Sequence, residues 1–169
     1  MSAPHSPTVT LHLKPLARRA LIRLCPFDGH AFDISHSWIE PLLRASLRHR
    51  PSPPPQQAPA NLVPVRLYIS DWDAQHLGFF VPQPLQLNIS STLCTLERDN
   101  LCRLVCAAYL FTTASRAQAM RFYLDKFAYE NDEINYPQLK KHYQRHFVHF
   151  EQQYLTDLQE LNTAKNTQN

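Results

Sequence analysis

Glycine is almost missing from this chain of 169 residues, occurring only at Gly29 and Gly78. Loops of the Walker or Rossmann kind need clustered glycines so that backbone amides can approach a phosphate, so nucleotide binding by those routes is excluded. Tight hairpin turns also draw on glycine, so an all-β fold with many turns is disfavoured. No apolar run approaches the roughly 18 residues of a membrane-spanning helix, which argues against a membrane partner. The proline-rich, polar N-terminus lacks the apolar stretch of a secretory leader. There is no HExxH pair and no recognisable nucleophile–base arrangement, so the reading is of a non-enzyme without cofactor.

What is present describes a packed, mostly helical protein. Hydrophobic residues make up 44% of the chain, enough for an interior rather than a disordered polymer. Of the four cysteines, Cys94, Cys102 and Cys106 fall on one predicted helix and Cys25 lies apart. That pattern suits buried, reduced thiols in a cytoplasmic protein. The net charge of +3 is unevenly spread. Residues 1–50 carry seven lysines and arginines against three acids, a net of +4, and five of the nine histidines. Residues 51–113 have a net of −1, residues 114–150 a net of +2, and residues 151–169 a net of −2. This balance is compatible with a polyanionic partner.

Six prolines in residues 51–64 rule out helix there and favour an extended, semi-rigid connector. On either side one pattern occurs twice. Val9, Leu11 and Leu13 alternate with Thr8, Thr10 and His12, predicting a strand. Lys14-Pro15 then opens a helix to Leu24, with Leu16, Ala20, Leu21 and Leu24 on one face and Arg18, Arg19 and Arg23 largely on the other. Ser37 is the expected cap of a second helix carrying Trp38, Ile39, Leu42, Leu43 and Leu47. In the later copy, Val65, Leu67 and Ile69 alternate with Arg66, Tyr68 and Ser70. A short helix follows over Asp71–Phe80, with Gly78 as its stop. Pro82 and Pro84 mark an extended connection, and a long helix opens at Ser90 or Ser91. Val9 aligns with Val65 at an offset of 56 residues, and Ser37 with Ser90 or Ser91 at about 54.

The third section reads as a helical hairpin. Ser115 caps a helix to about Phe127, and Asn135-Tyr136-Pro137-Gln138 has the cap, early proline and glutamine of a capping box. The helix it opens is expected to reach Leu161. The full expectation is a mostly α fold with a two-stranded antiparallel β ribbon. Its parts are residues 8–50 as a first strand-helix-helix unit, 51–64 as linker, 65–113 as a second unit and 114–161 as the hairpin. Residues 1–7 and 162–169 are read as flexible tails.

Strand, helix, helix resembles the ribbon-helix-helix family of DNA-binding proteins, closely over residues 8–50 and loosely over 63–111. In that family two chains pair their single strands into a ribbon that enters the major groove, while helix N-termini hold phosphates. A tandem copy would supply the partner strand within one chain, making a pseudo-dimer. The loop from Cys25 to His36 is longer than the family's usual connection, and the second unit's first helix is short. The hairpin resembles a helix-turn-helix.

The resemblance implies that Thr8, Thr10, His12, Arg66, Tyr68 and Ser70 face the bases, with Arg66 suited to guanine. Helix ends near Ser37 and Ser91 would hold phosphates, aided by Arg18 and Arg19. Lys140, Lys141, Gln144 and Arg145 on the terminal helix would add groove or phosphate contacts. His142, His146 and His149 are spaced for a shared metal, as are Cys102 and Cys106. The histidines are read as packed or phosphate-facing and the two cysteines as buried free thiols, and no metal is expected. The implied protein is a small binder of double-stranded DNA, a transcriptional regulator or an accessory factor of a mobile element or phage. The rival is a protein-interaction module (an inhibitor, antitoxin or complex subunit) meeting its partner through the aromatic terminal helix.

Overall fold

A computed structural model describes residues 6–49, 61–131 and 133–156. The polyproline stretch to residue 60, most of the N-terminal tail, the reach of the last helix to Leu161 and the tail after it lie outside these residues. The described chain is mostly helical, with one small antiparallel sheet of two strands. It forms two compact units, residues 1–97 and 98–169.

In the first unit β1 (Thr8–Leu13) pairs antiparallel with β2 (Val63–Tyr68). The register sets Thr8 opposite Tyr68, Thr10 opposite Arg66 and His12 opposite Pro64. A lone strand cannot satisfy its backbone polar groups, and here the partner comes from more than fifty residues along the same chain. Val9, Leu11, Leu13, Val65 and Leu67 are buried on the inner face. β2 starts two residues inside the expected linker, because Pro64 is tolerated next to the start of a strand. It ends at Tyr68, so Ser70 is not a ribbon residue.

α1 (Pro15–Leu24) begins on its proline, whose missing N–H belongs to the first turn, where no helical partner exists anyway. It buries Leu16, Ala17, Ala20 and Leu21. α2 (Ile39–Ser46) buries Ile39, Leu43 and Ser46. α3 (Asp71–His76) stops four residues before the expected end. Gly78 follows at φ +91, where a Cβ would stand 2.4 Å from the Arg48 carbonyl oxygen. That close approach lets Arg48 and Phe80 exchange backbone hydrogen bonds of 2.8 and 3.2 Å.

α4 (Gln83–Phe111) corrects the expected opening at Ser90 or Ser91. Pro84 lies in its first turn, where proline is accommodated, so the prolines start the helix instead of delaying it. Ser90 is buried in the helix interior and its Oγ accepts the Lys14 N–H at 2.9 Å. One turn earlier, Gln86 Oε1 accepts the His12 N–H at 2.7 Å. Side chains of α4 thus satisfy amides at the end of β1 that the ladder leaves over. Ser90→Ala removes such a partner and is expected to cost about 1–2 kcal/mol, read from the urea midpoint at unchanged slope. The order strand, helix, helix runs twice, but the helices are 10 and 8 residues long in one passage and 6 and 29 in the other.

The boundary between the units falls inside α4, and residues 98–111 of that helix belong to the second unit. α5 (Arg116–Lys126) starts at the expected cap, Ser115, which also forms a capping box with Gln118, and α6 (Tyr136–His146) starts with the expected capping box of Asn135 with Gln138. Residues 127–135 join them, longer than the three- or four-residue turn of a helix-turn-helix, so that likeness does not extend to the turn. The helix also does not continue unbroken. It turns at Phe147 (φ −114, ψ −20), and residues 148–156 are again helical.

Candidate functional site

The ribbon's outer face carries Thr8, Thr10 and His12 from β1 with Pro64, Arg66 and Tyr68 from β2. Thr10 and Arg66 are exposed; Thr8, His12 and Tyr68 are half-buried. This is the polar face the alternation implied, less Ser70. That serine caps α3 instead: its Oγ accepts the Asp73 N–H at 3.0 Å and donates to Asp73 Oδ2 at 2.7 Å.

The long Cys25–His36 loop flanks this face. Phe27 and Phe32 form an isolated bridge around Asp28-Gly29-His30-Ala31. Asp28 Oδ1 accepts the N–H groups of His30 and Ala31 at 2.8 and 3.0 Å, with Gly29 at φ +93. Phe32 then runs along the free edge of β2, donating its N–H to Arg66 O at 2.9 Å and accepting from the Tyr68 N–H at 3.0 Å. The Tyr68 hydroxyl donates to Asp28 Oδ2 at 2.6 Å, and Arg66 Nη1 stands 3.3 Å from His30 Nδ1. The Tyr68 hydroxyl, with the Ala31 and His30 amides, holds the Asp28 carboxyl down at about 2. The same hydrogen bond pushes the Tyr68 phenol up. Asp28 and His30 were missed as site residues. The Asp-Gly pair between two phenylalanines was the available signal, a hairpin-turn dipeptide.

The helix ends expected to hold phosphates are not where the resemblance put them. Ser37 precedes α2 without capping it, its hydroxyl donating to Ile34 O at 2.6 Å; the N-cap is Trp38, which makes no side-chain cap. Glu40 already occupies the first turn, its Oε2 accepting the His36 N–H at 3.1 Å. Ser91 is exposed in the middle of α4, where every backbone amide is committed to the helix, so it offers no end for an anion. On α1, Arg18 is exposed and Arg19 half-buried, while Arg23 Nε lies 3.1 Å from the buried Glu97 carboxylate.

A cleft of about 210 Å³ in the first unit is lined by Asp33, Ser35, Glu40, Arg44 and Asp73 among others. Arg44 grips Asp73 with two hydrogen bonds of 2.7 and 3.1 Å. Burial opposes ionisation of Asp73, but the Arg44 guanidinium and the Ser70 hydroxyl outweigh it and hold the carboxyl below its usual range. The cleft's polar groups largely satisfy one another.

In the second unit α6 carries Lys140, Lys141 and Arg145 and no acid. These three and Gln144 are exposed, while Leu139 and Tyr143 are buried. His142 Nε2 is 2.7 Å from Asp99 Oδ1, and its ring centroid is 4.6 Å from that of His146. Among the described residues no three His, Cys, Asp or Glu side chains are grouped to hold a metal ion. Burial, then the nearby Asp99 charge, pushes the Cys102 thiol up to about 12, the state of an inert packed cysteine. Beneath α6 the buried Glu151 carboxylate accepts from the Tyr143 hydroxyl at 2.6 Å and from Arg116 Nε at 2.9 Å, and it also pairs with Arg116 Nη2.

Compared with protein-family models, curated proteins and solved structures, the chain matches none. No helix among the described residues is long and apolar enough to cross a membrane.

Proposed function

We propose that this chain is a small protein that binds duplex DNA as a single-chain counterpart of the ribbon-helix-helix dimer. In this reading the ribbon faces a groove and the cationic side of α6 meets phosphates. The observation that carries it is the ribbon's register. The 56-residue offset between the two strand patterns equates Thr10 with Arg66, and those two residues stand directly opposite each other. A ribbon made from two equivalent strands has its two-fold axis through such a pair, so the strand alignment and the pairing agree on one centre. Thr10 and Arg66 are also the two most accessible polar side chains of the face.

Lys140, Lys141 and Arg145 supply sequence-independent attraction to the phosphate backbone, and Arg66 supplies the hydrogen-bonding fork suited to a guanine edge. With about four phosphate contacts, log affinity falls against log salt with a slope of about −3.6, from roughly −0.9 per contact. Titration of a labelled duplex by anisotropy at several salt concentrations checks this. The triple variant Lys140→Glu, Lys141→Glu, Arg145→Glu is expected to weaken binding more than tenfold and flatten the slope to about −0.9. No binding at low salt, or a triple variant that binds like the parent, would sink the proposal.

A second reading, an interaction module without nucleic acid, is favoured by the apolar side chains left outside the core. Phe111, Phe122 and Phe150 are more than half exposed in the second unit, and Trp72 and Phe79 in the first. Tyr143 and Phe147 of the terminal segment are buried, so that stripe serves the core more than a partner.

A further inference from the structure

We infer that the Asp28–Ala31 turn is an autoinhibitory strap on the ribbon, holding Arg66 and Tyr68 in contacts that nucleic-acid binding must break. The inference rests on the DNA-binding reading and concerns regulation of that same face. Three observations converge. First, both engaged residues lie on β2, and both are held at their polar ends by one four-residue turn: Tyr68 by the Asp28 carboxylate at 2.6 Å, Arg66 by His30 Nδ1 at 3.3 Å. Second, Phe32 is hydrogen-bonded to the backbone of the same two residues, so the turn is registered against β2. Third, the turn is internally braced through Asp28 Oδ1, and its tip (Asp28, Gly29 and His30) is exposed while Ala31 and Phe32 at its base are buried, so the side chains of the tip can release Arg66 and Tyr68 while the base stays in the core.

The chemistry of the contacts is that of the ligand they would exclude. A carboxylate accepting from a phenol hydroxyl imitates a phosphate or base-edge acceptor, so the contact itself occupies the Tyr68 donor that a duplex would use. A ring nitrogen at 3.3 Å from a guanidinium likewise occupies one prong of the fork that would otherwise meet N7 and O6 of guanine. His30 Nδ1 serves Arg66 only as an acceptor, so the contact requires the tautomer with its proton on Nε2. Apparent affinity scales with the fraction of molecules in which the strap is released. Exposed contacts of this kind favour the held state by only a few-fold, so release is expected to tighten binding about three- to tenfold.

The test compares duplex affinity, at one fixed salt concentration, for the parent, Asp28→Ala, Asp28→Asn, His30→Ala and Asp71→Ala. Asp28→Ala removes both the charge and the contact. Asparagine keeps the turn and a polar partner for Tyr68 while removing the charge, and Asp71→Ala removes one exposed charge elsewhere in the first unit. The strap requires a gain of about three- to tenfold for Asp28→Ala, with asparagine and Asp71→Ala close to the parent. His30→Ala, which leaves the Asp28 bracing intact and so does not depend on the turn refolding, gains about two- to threefold. Equal gains in Asp28→Ala, Asp28→Asn and Asp71→Ala would mean simple charge removal and overturn the strap. If the parent binds and the α6 triple variant does not, but releasing Asp28 or His30 changes nothing, the strap fails and the DNA-binding reading stands. Should no variant bind, both fall together.

Discussion

Glu151→Ala is expected to lower stability by about 3 kcal/mol, displacing the thermal midpoint by about 10 °C. Glu151 is only 1% exposed, and two partners converge on it: the hydroxyl of the fully buried Tyr143 and both nitrogens of the Arg116 fork. Removing the carboxylate strands a phenol with nowhere to donate and deprives the guanidinium of its counter-charge. Arg116 keeps access to water and stacks over the Tyr109 ring at 4.1 Å, which holds the loss below that of a fully enclosed pair. Glu151→Gln, which keeps an acceptor for Tyr143, is expected to lose about half as much.

The same carboxylate gives this prediction a pH dependence. Burial works to raise the Glu151 carboxyl, but Arg116 and Tyr143 outweigh it and leave it below the ordinary glutamate range. A depressed acid stabilises the fold at pH values above its unfolded value of about 4.3 and loses that contribution as pH falls through its folded value. The gap between parent and Glu151→Ala in urea denaturation should therefore be full at pH 7 and narrow as the solution is acidified below pH 4. A gap that stays constant through that window would mean that the pair contributes nothing in its ionised form.

Gly78→Val is the second large effect, expected at about 3–5 kcal/mol. Two costs add at this position. A residue with a Cβ at φ +91 is strained by about 1–2 kcal/mol, more when β-branched. The added carbon would also lie 2.4 Å from Arg48 O, 2.7 Å from Arg48 C and 2.8 Å from His49 N. These are backbone atoms, so relief requires separating the Arg48–Phe80 bridge. Gly29→Ala makes the control, because Gly29 has a similar φ of +93 but nothing within 4 Å of an added Cβ. Its cost should stay near 1 kcal/mol. Equal losses at both glycines, measured by denaturant midpoint, would show that backbone conformation alone decides and that the close approach does not matter.

Local rules read correctly from the sequence are those in which a few adjacent residues suffice. Pro15 starting α1, the cap at Ser115, the capping box at Asn135, and the alternation Val9-Leu11-Leu13 against Val65-Leu67 each depend on short-range geometry or on a period of two. The antiparallel ribbon joined β1 to β2 as the paired alternation required. Ser90 misled for a physical reason: a serine before an apolar stripe has the composition of a cap, and only the Lys14 amide arriving from across the fold makes it an interior acceptor. Pro84 misled because a proline that breaks a helix and one that begins it look alike until the first turn is located.

By itself, then, the order of residues determined the mainly helical character, the two inward-facing strand stripes and the cationic, acid-free segment that becomes α6, because each follows from spacing along the chain. Tertiary structure alone decided what the outward residues touch. Arg66 and Tyr68 meet His30 and Asp28 across gaps of 36 and 40 positions, and Glu151 meets Arg116 across 35. Contacts between residues so far apart depend on how the core brings their elements together, and no local propensity encodes that.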